Sequence, residues 1–146
     1  YYEGSVWTYA GNYDIALPCA TQNEIDGDAA KRLVAQGVKV VSEGANMPSN
    51  IDAINVYKEN GILYGPAKAA NAGGVAVSAL EMSQNSQRLS WTREEVDGRL
   101  KDIMTNIFNT AKTTAETYGL GKDYLAGANI AAFENVANAM IAQGLV

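Results

Sequence analysis

The sequence contains no histidine, one cysteine and three prolines in 146 residues. Without histidine, this span has no Ser-His-Asp triad, no imidazole metal ligand and no imidazole proton shuttle. The single cysteine, Cys19, cannot form a disulfide within the chain or a cysteine-rich metal site, so we predict no metal centre. Cys19 lies in an apolar segment with no histidine to activate its thiol, which predicts a packing role. The lack of a second cysteine favours a reducing compartment, and we expect a cytoplasmic protein.

Positive charge and long apolar runs are also scarce. The 11 Lys and Arg residues are scattered among 16 Asp and Glu residues, and the net charge is −5. Nucleic acids and anionic membrane surfaces require clustered basic residues, so we expect neither as a partner. The longest apolar runs, such as Ile130 to Phe133, have four residues, whereas a membrane-spanning helix needs roughly 20. The chain begins at Tyr1 and not at Met, and we expect it to be a piece of a longer protein.

The first half of the chain alternates apolar segments with helical patterns. The apolar segments at 14–20, 38–41 and 62–64 predict short strands. Helical spacing appears between them, over 26–36 with Asp26 as N-cap, and again after Ser49 or Asn50. This order predicts a parallel sheet with crossover helices, in which ligands bind beyond the carboxyl ends of the strands.

The second half is predicted to be helical throughout, over 75–84, from Thr92 to about 117, and over about 129–143. Thr92 and Glu95 form a capping-box pattern before the long helix. An apolar stripe on that helix predicts its buried face, made of Val96, Leu100, Ile103, Met104, Ile107, Ala111 and Ala115. The last helix is predicted to bury Ile130, Phe133, Ala137, Met140 and Ile141 on one face.

The glycine fingerprint of dinucleotide-binding folds, G-x-G-x-x-G, is absent from this chain. Gly119 and Gly121 form the only G-x-G pair, which follows a helix, and Tyr124 stands where a third glycine would be. The pair is therefore interpreted as a helix end. If the chain is half of a dinucleotide-binding fold, it is the half without the pyrophosphate loop.

A polar loop of small residues follows each predicted strand. The loops read PCATQNE at 18–24, EGANMP at 43–48 and KAANAGGV at 68–75. Amide side chains suit a ribose hydroxyl or a carboxamide, and glycines let the backbone approach a ligand closely. The alternative interpretation is that these are ordinary turn sequences.

The third loop carries the most specific pattern. Asn71, Val75, Ser78 and Met82 recur at helical spacing, which places a hydroxyl and an apolar wall on one face. In the alternative, Ser78 bonds to a carbonyl of its own helix and Val75 belongs to the core. Lys68 could meet a phosphate or carboxylate, or pair with a structural acid such as Glu43.

These loops in this order resemble the hexameric bacterial-type glutamate dehydrogenases. The resemblance continues through EMSQN at 81–85, LSW at 89–91, AGANI at 126–130 and residues 139–144. It covers nearly the whole chain but only the C-terminal portion of that family, whose catalytic Lys and Asp have no counterpart here. It implies an α/β fold, with residues 1–65 as the second half of a Rossmann-like NAD(P)-binding domain. Residues 66–146 would be long helices that pack on it and return toward a substrate domain.

The resemblance also implies roles for individual residues. Ser78 matches a serine that contacts the substrate side-chain carboxylate, and Val75 matches a valine of the same pocket. Cofactor contacts are implied for Asn46 on the nicotinamide-side ribose, for Asn71 near nicotinamide and substrate, and for the loop residues Ala20, Thr21 and Gln22. Related leucine- and phenylalanine-type enzymes are apolar at the serine position, so Ser78 favours glutamate.

The implied whole enzyme is a homo-hexamer that interconverts L-glutamate with 2-oxoglutarate and ammonia, using NADP or NAD. Gly44 in the second motif favours NADP. No catalytic residue is assigned within this chain, and we expect the chain alone to be inactive. The alternative function is a stand-alone, non-catalytic nucleotide-binding or interaction module.

Overall fold

Three short parallel strands form a sheet in the order β1-β2-β3. The computed structural model describes residues 3–144. The strands are β1 (Ile15–Ala16), β2 (Val40–Ser42) and β3 (Leu63–Gly65). The helices are α1 (Gly27–Ala35), α2 (Ile51–Glu59), α3 (Ala67–Ala70), α4 (Ala72–Ser86), α5 (Arg93–Thr117) and α6 (Tyr124–Gln143). Helices α1 and α2 are the crossovers that parallel neighbours require, so the predicted α/β class is confirmed.

One face of the sheet forms the core with α1 and α2. Ala16, Val41 and Tyr64 are in register across the strands and are buried. They belong to one cluster with buried side chains of the two helices, namely Ala29, Ala30, Leu33, Ala53, Val56 and Tyr57. Alternation along each strand turns the flanking residues to the opposite face. The core therefore fixes the register that aligns the strand ends.

The opposite face of the sheet is only partly covered. Met104, Ile107 and Phe108 of α5 lie over Val40 and Leu63, and an apolar cleft of about 360 Å³ remains between them. Ile15 and Leu17 are each 59% exposed. The strand predicted over 14–20 is therefore confirmed only at Ile15–Ala16, and its predicted burial holds for Ala16 but is wrong for Ile15 and Leu17. The chain leaves the ladder after Ala16, and the proline at position 18 has no N–H to donate to a ladder.

The capping signals in the sequence locate most helix ends. Asp26 accepts a hydrogen bond from the N–H of Ala29, and Asn50 accepts one from Ala53. Thr92 and Glu95 form the reciprocal capping box that their spacing predicts. The predicted stripe of α5 is confirmed, because its residues from Val96 to Ile107 are partly buried and Ala111 and Ala115 are fully buried.

Two helix predictions need correction. Helix α4 begins at Ala72, not Val75, and so includes both glycines of the third motif. Helix α6 begins at Tyr124, not near Asn129, because the Asp123 side chain caps it by accepting from the N–H of Ala126.

The predicted buried face of α6 is wrong for three of its five residues. Phe133 and Ile141 are 71% and 81% exposed, and Met140 is exposed as well. The less exposed side of the helix contains Gly127 and Glu134 together with the predicted Ile130 and Ala137. Apolar residues occur all around α6, so spacing alone does not select the face that packs.

Gly127 sets the closest approach between α5 and α6. A Cβ atom at this position would lie 2.0 Å from the carbonyl oxygen of Ala111 and 3.0 Å from the Cβ of Ala115. The contact involves backbone, which cannot rotate away as a side chain can. Only glycine therefore permits this crossing of the two helices.

Gly127→Ala should lower the free energy of unfolding by about 2 to 3 kcal/mol, because the two helices must separate. Gly98→Ala is the matched control, since Gly98 lies inside α5 and a methyl group there would have no atom within 4 Å. This control should gain about 0.5 to 1 kcal/mol of helix propensity. Urea unfolding followed by circular dichroism measures both. Equal effects of the two substitutions would contradict the close-packing role of Gly127.

Candidate functional site

Three polar segments meet beyond the carboxyl ends of the strands. Loop 1 is residues 17–24 after β1, and loop 2 is residues 43–49 after β2. The name loop 3 is used for residues 66–75 after β3, although they include α3 and the first turn of α4. The N–H groups of Gly44 and Ala45 donate to the carbonyl oxygen of Pro18 at 2.9 and 3.0 Å, which joins loops 1 and 2. These contacts and those that follow bring the three motifs together at one edge of the sheet, the edge where parallel sheets bind ligands.

Glu43 joins loop 2 to loop 3 from inside the protein. Its side chain is 2% exposed. Oε1 accepts from the N–H of Ser49 at 3.1 Å, and Oε2 accepts from the N–H of Ala67 at 2.8 Å. A buried carboxylate is stable only when donors surround it, so both loops must hold these positions.

The exposed Asn46 of loop 2 contacts the half-buried Asn71 of loop 3. The side-chain nitrogen of Asn71 donates to the Asn46 side-chain oxygen at 2.9 Å and to the carbonyl oxygen of Ala45 at 3.1 Å. Asn71 makes no capping hydrogen bond to α4. The Asn46 nitrogen and the Asn71 oxygen are therefore the atoms of the pair that can bind a ligand. These two predicted cofactor residues lie together.

Val75 and Ser78 follow Asn71 on the first two turns of α4. Val75 is 72% exposed, so the alternative that it belongs to the core is wrong. Ser78 is also exposed, and its Oγ donates to the carbonyl oxygen of Gly74 at 3.4 Å. That long bond is the back-bonding alternative considered for Ser78, and it leaves the hydroxyl accessible to a ligand.

Loop 1 presents Ala20, Thr21 and Gln22 as exposed residues, in the positions predicted for a cofactor contact. Its shape depends on Glu24, which is not among the predicted site residues. Glu24 Oε1 accepts from the N–H groups of Ala20 and Thr21 at 2.9 and 3.2 Å. Its Oε2 accepts from the indole N–H of Trp7 at 2.9 Å.

The structure corrects two predictions, one about Lys68 and one about Cys19. Lys68 does not pair with Glu43; it donates to the Asn129 side-chain oxygen at 2.6 Å and so ties α3 to α6. Cys19 is exposed, so its predicted packing role is wrong. The chain turns outward after Pro18, and a methyl group at Gly44 would meet the Cys19 sulfur.

Two buried tyrosines, Tyr57 and Tyr64, lie near the Glu43 carboxylate. Burial raises the pKa of Tyr57 to about 12, with the Glu43 charge raising it and a hydrogen bond to Ser49 lowering it. Burial also raises the pKa of Tyr64, and the hydrogen bond to Glu43 and its charge raise it further. Both tyrosines therefore stay protonated in the neutral pH range and add hydroxyl groups to the environment of Glu43.

Over 3–144, no cluster of three or more His, Cys, Asp or Glu side chains could hold a metal ion. Within the same range, no helix is long and apolar enough to cross a membrane.

The parallel sheet and its crossover helices define an α/β protein, a class in which ligands bind beyond the carboxyl ends of the strands. The profile of the Glutamate/Leucine/Phenylalanine/Valine dehydrogenase family matches residues 1–144, and the chain belongs to this family. This match confirms the family resemblance that the sequence motifs indicate.

Individual relatives agree with the family assignment. The chain is 58% identical over 148 residues to the NADP-specific glutamate dehydrogenase of Giardia intestinalis, which covers all of this chain and 33% of the relative. It is 56% identical to the NADP-specific enzyme of Escherichia coli, over 91% of this chain and 30% of the relative. The crystal structure of Plasmodium falciparum glutamate dehydrogenase matches with a TM-score of 0.87 and 56% identity, over 91% of this chain and 29% of that one. The chain thus spans about a third of the length of these relatives.

The raised pKa of Tyr57 predicts a loss of stability in alkali. The folded chain holds this proton more tightly than the unfolded chain, so the free energy of unfolding falls as pH rises from about 10 to about 12. Two pKa units correspond to about 3 kcal/mol in total. Tyr57→Phe should remove about 1 kcal/mol of the loss between pH 9 and pH 11 in urea titrations. Tyr13→Phe, at an exposed tyrosine, is the control, and an unchanged pH slope in Tyr57→Phe would refute the prediction.

Proposed function

We propose that this chain is the C-terminal coenzyme-domain portion of an NADP-dependent glutamate dehydrogenase. The proposal is carried by one observation: the three family motifs converge on a single edge of the sheet, where the Pro18 carbonyl joins loop 1 to loop 2, and Glu43 and the Asn46–Asn71 pair join loop 2 to loop 3. Under this proposal, residues 1–65 are the second half of the NAD(P)-binding domain. Residues 66–146 are the helices that pack on it and return toward a substrate domain.

The loops fit the nicotinamide and ribose part of such a coenzyme. Asn46, Asn71 and the exposed side chains of Thr21 and Gln22 offer donors and acceptors for hydroxyl and carboxamide groups. Gly74, at the start of α4, has open space where a side chain would be, which permits a close approach. When bound, the coenzyme supplies hydride transfer. This chain's residues orient it, and the relatives named above support NADP over NAD.

Ser78 and Val75 form the part of the substrate pocket that we assign to this chain. The exposed Ser78 hydroxyl can donate to the side-chain carboxylate of glutamate or 2-oxoglutarate, and Val75 provides an apolar wall beside it. A polar group built to bond a substrate carboxylate discriminates against apolar amino acids, which would leave it unpaired. The substrate pair is therefore L-glutamate and 2-oxoglutarate, with ammonia.

Proton transfer is assigned to residues outside this chain. The site described here contributes exposed amides and a hydroxyl, and the catalytic Lys and Asp of the family have no counterpart in this sequence. Its contribution is to bring the coenzyme and the substrate carboxylate into a fixed geometry. We further propose a homo-hexameric assembly and a cytoplasmic location for the whole enzyme.

The purified 146-residue chain should not oxidise NADPH in the presence of 2-oxoglutarate and ammonia, because it lacks the catalytic Lys and Asp of the family. The absorbance of NADPH at its nicotinamide band measures this directly. Sustained turnover by the chain alone would contradict the proposed division of labour.

A chimeric enzyme provides the positive test. In it, this chain replaces the matching 148-residue segment of the Giardia intestinalis relative. The chimeric enzyme should catalyse NADPH-dependent amination of 2-oxoglutarate. Ser78→Ala should lower kcat/KM for 2-oxoglutarate by about 10-fold to 100-fold, the effect of losing a hydrogen bond to a charged group.

Ser83→Ala is the matched control for that substitution. Ser83 lies on the same helix, is exposed, and also donates to a carbonyl of its own helix, that of Ala79. It should leave the kinetics unchanged, and Ser78→Ala should leave the affinity for NADPH unchanged. Wild-type 2-oxoglutarate kinetics in Ser78→Ala would reject the assignment of Ser78, and an assembled chimera without activity would reject the proposed function.

A further inference from the structure

Glu24 accepts hydrogen bonds from three donors. Its two carboxylate oxygens accept from the backbone N–H groups of Ala20 and Thr21 and from the indole N–H of Trp7, at 2.9, 3.2 and 2.9 Å. A carboxylate accepts at both oxygens, whereas an amide must present two hydrogens on one side. The site therefore requires a carboxylate specifically, and no other residue type of this length satisfies all three donors.

The Trp7 contact fixes the carboxylate from a separate segment. Trp7 is partly buried and packs against the core cluster of the sheet and α1. The same segment is tied to the end of α1, because the side-chain nitrogen of Gln36 donates to the carbonyl oxygen of Tyr9 at 2.7 Å. Glu24 thus connects loop 1 to an element that is anchored independently of the loop.

These bonds determine which atoms of loop 1 face outward. Loops that bind phosphate usually do so through successive backbone N–H groups. In loop 1 the N–H groups of Ala20 and Thr21 are already bonded to a negative carboxylate, which opposes an anion at this point. The exposed side chains of Thr21 and Gln22 remain, and they suit uncharged hydroxyl and carboxamide groups.

We propose that Glu24 is a positioning residue for coenzyme binding. By holding two amides of loop 1 inward, it turns Thr21 and Gln22 toward the uncharged part of the coenzyme and keeps the phosphates away from this loop. The proposal rests on the proposed function for the identity of the coenzyme. Glu24 itself touches loop 1 and Trp7 and acts through them.

The test measures two binding constants in the chimeric enzyme. One is the Kd for NADPH, from its fluorescence. The other is the Kd for adenosine 2′,5′-bisphosphate, which lacks the nicotinamide half and is measured by calorimetry. Glu24→Gln should weaken NADPH binding about tenfold, because the NH₂ group of the glutamine must face either the Trp7 indole N–H or the two N–H groups of loop 1. Binding of the bisphosphate should stay within about twofold of the parent value.

A second variant and a control separate positioning from general damage. Trp7→Phe keeps an aromatic ring but removes the indole donor, and it should weaken NADPH binding about threefold with no effect on the bisphosphate. Glu134→Gln is the matched control, because Glu134 also accepts from an aromatic side chain, the hydroxyl of Tyr118, but lies on α6. It should change neither constant.

The outcomes distinguish the positioning role of Glu24 from the proposed function of the chain. Unchanged NADPH binding in Glu24→Gln would overturn the positioning role, and so would a parallel loss of both ligands, which indicates a general loosening of the domain. A chimeric enzyme without substitutions that binds NADPH but does not turn over 2-oxoglutarate refutes the proposed function. In that case the two Kd values still test the positioning role of Glu24. An unsubstituted chimeric enzyme that does not bind NADPH refutes both the proposed function and the role of Glu24.

Discussion

The buried carboxylate of Glu43 is the interaction on which the site depends. Strand order and register bring three loops to one edge of the sheet, but parallel strands alone leave those loops free to diverge. Glu43 lies at the end of β2 and accepts from Ser49 and Ala67, one in its own loop and one in the next. Because an unpaired charge at this depth is unfavourable, the folded state keeps both contacts. Asn46 and Asn71 belong to the two loops that Glu43 joins, and their hydrogen bond depends on this link.

The two faces of the sheet have different roles. The face toward α1 and α2 is a complete core, and it holds the strands in register. The opposite face keeps an apolar cleft beside α5 and leaves Ile15 and Leu17 exposed. A second apolar surface, with Phe133 and Ile141, lies on α6. Exposed apolar areas of this kind mark interaction surfaces, and under the proposed function the rest of the dehydrogenase covers them.

Much of the fold could be predicted from the sequence because its signals are local. Asp26, Asn50 and Thr92 cap their helices through their own side chains, so their positions are readable without tertiary information. The stripe of α5 has one apolar side, which identifies its buried face. The face of α6 is not predictable in this way, since close packing at Gly127 and not apolar spacing selects it. The exposure of Ile15 depends on what covers the sheet, which spacing within β1 cannot reveal.

The candidate site is predictable in part for a similar reason. Asn46, Asn71 and Ser78 stand out as polar or small residues after strands and at a helix start. Glu24 and Glu43 act on backbone N–H groups, whose directions emerge only in the folded chain. A sequence signal for Glu43 does exist: an acidic residue directly after the apolar end of a buried strand must have partners. Glu24 lies four residues after Ala20 and three after Thr21, whose N–H groups it binds. Many residues at this spacing make no such bond, so the spacing alone does not predict it.

Asn46 and Asn71 must act together on one coenzyme if the linked loops form a single site. A double-mutant cycle on the chimeric enzyme measures this, with the Kd for NADPH determined in Asn46→Ala, Asn71→Ala and the double variant. We expect a coupling free energy of about 1 kcal/mol, because each residue orients the other through their shared hydrogen bond. Additive effects within about 0.3 kcal/mol would show that the two residues bind independently and that the loops do not form one site.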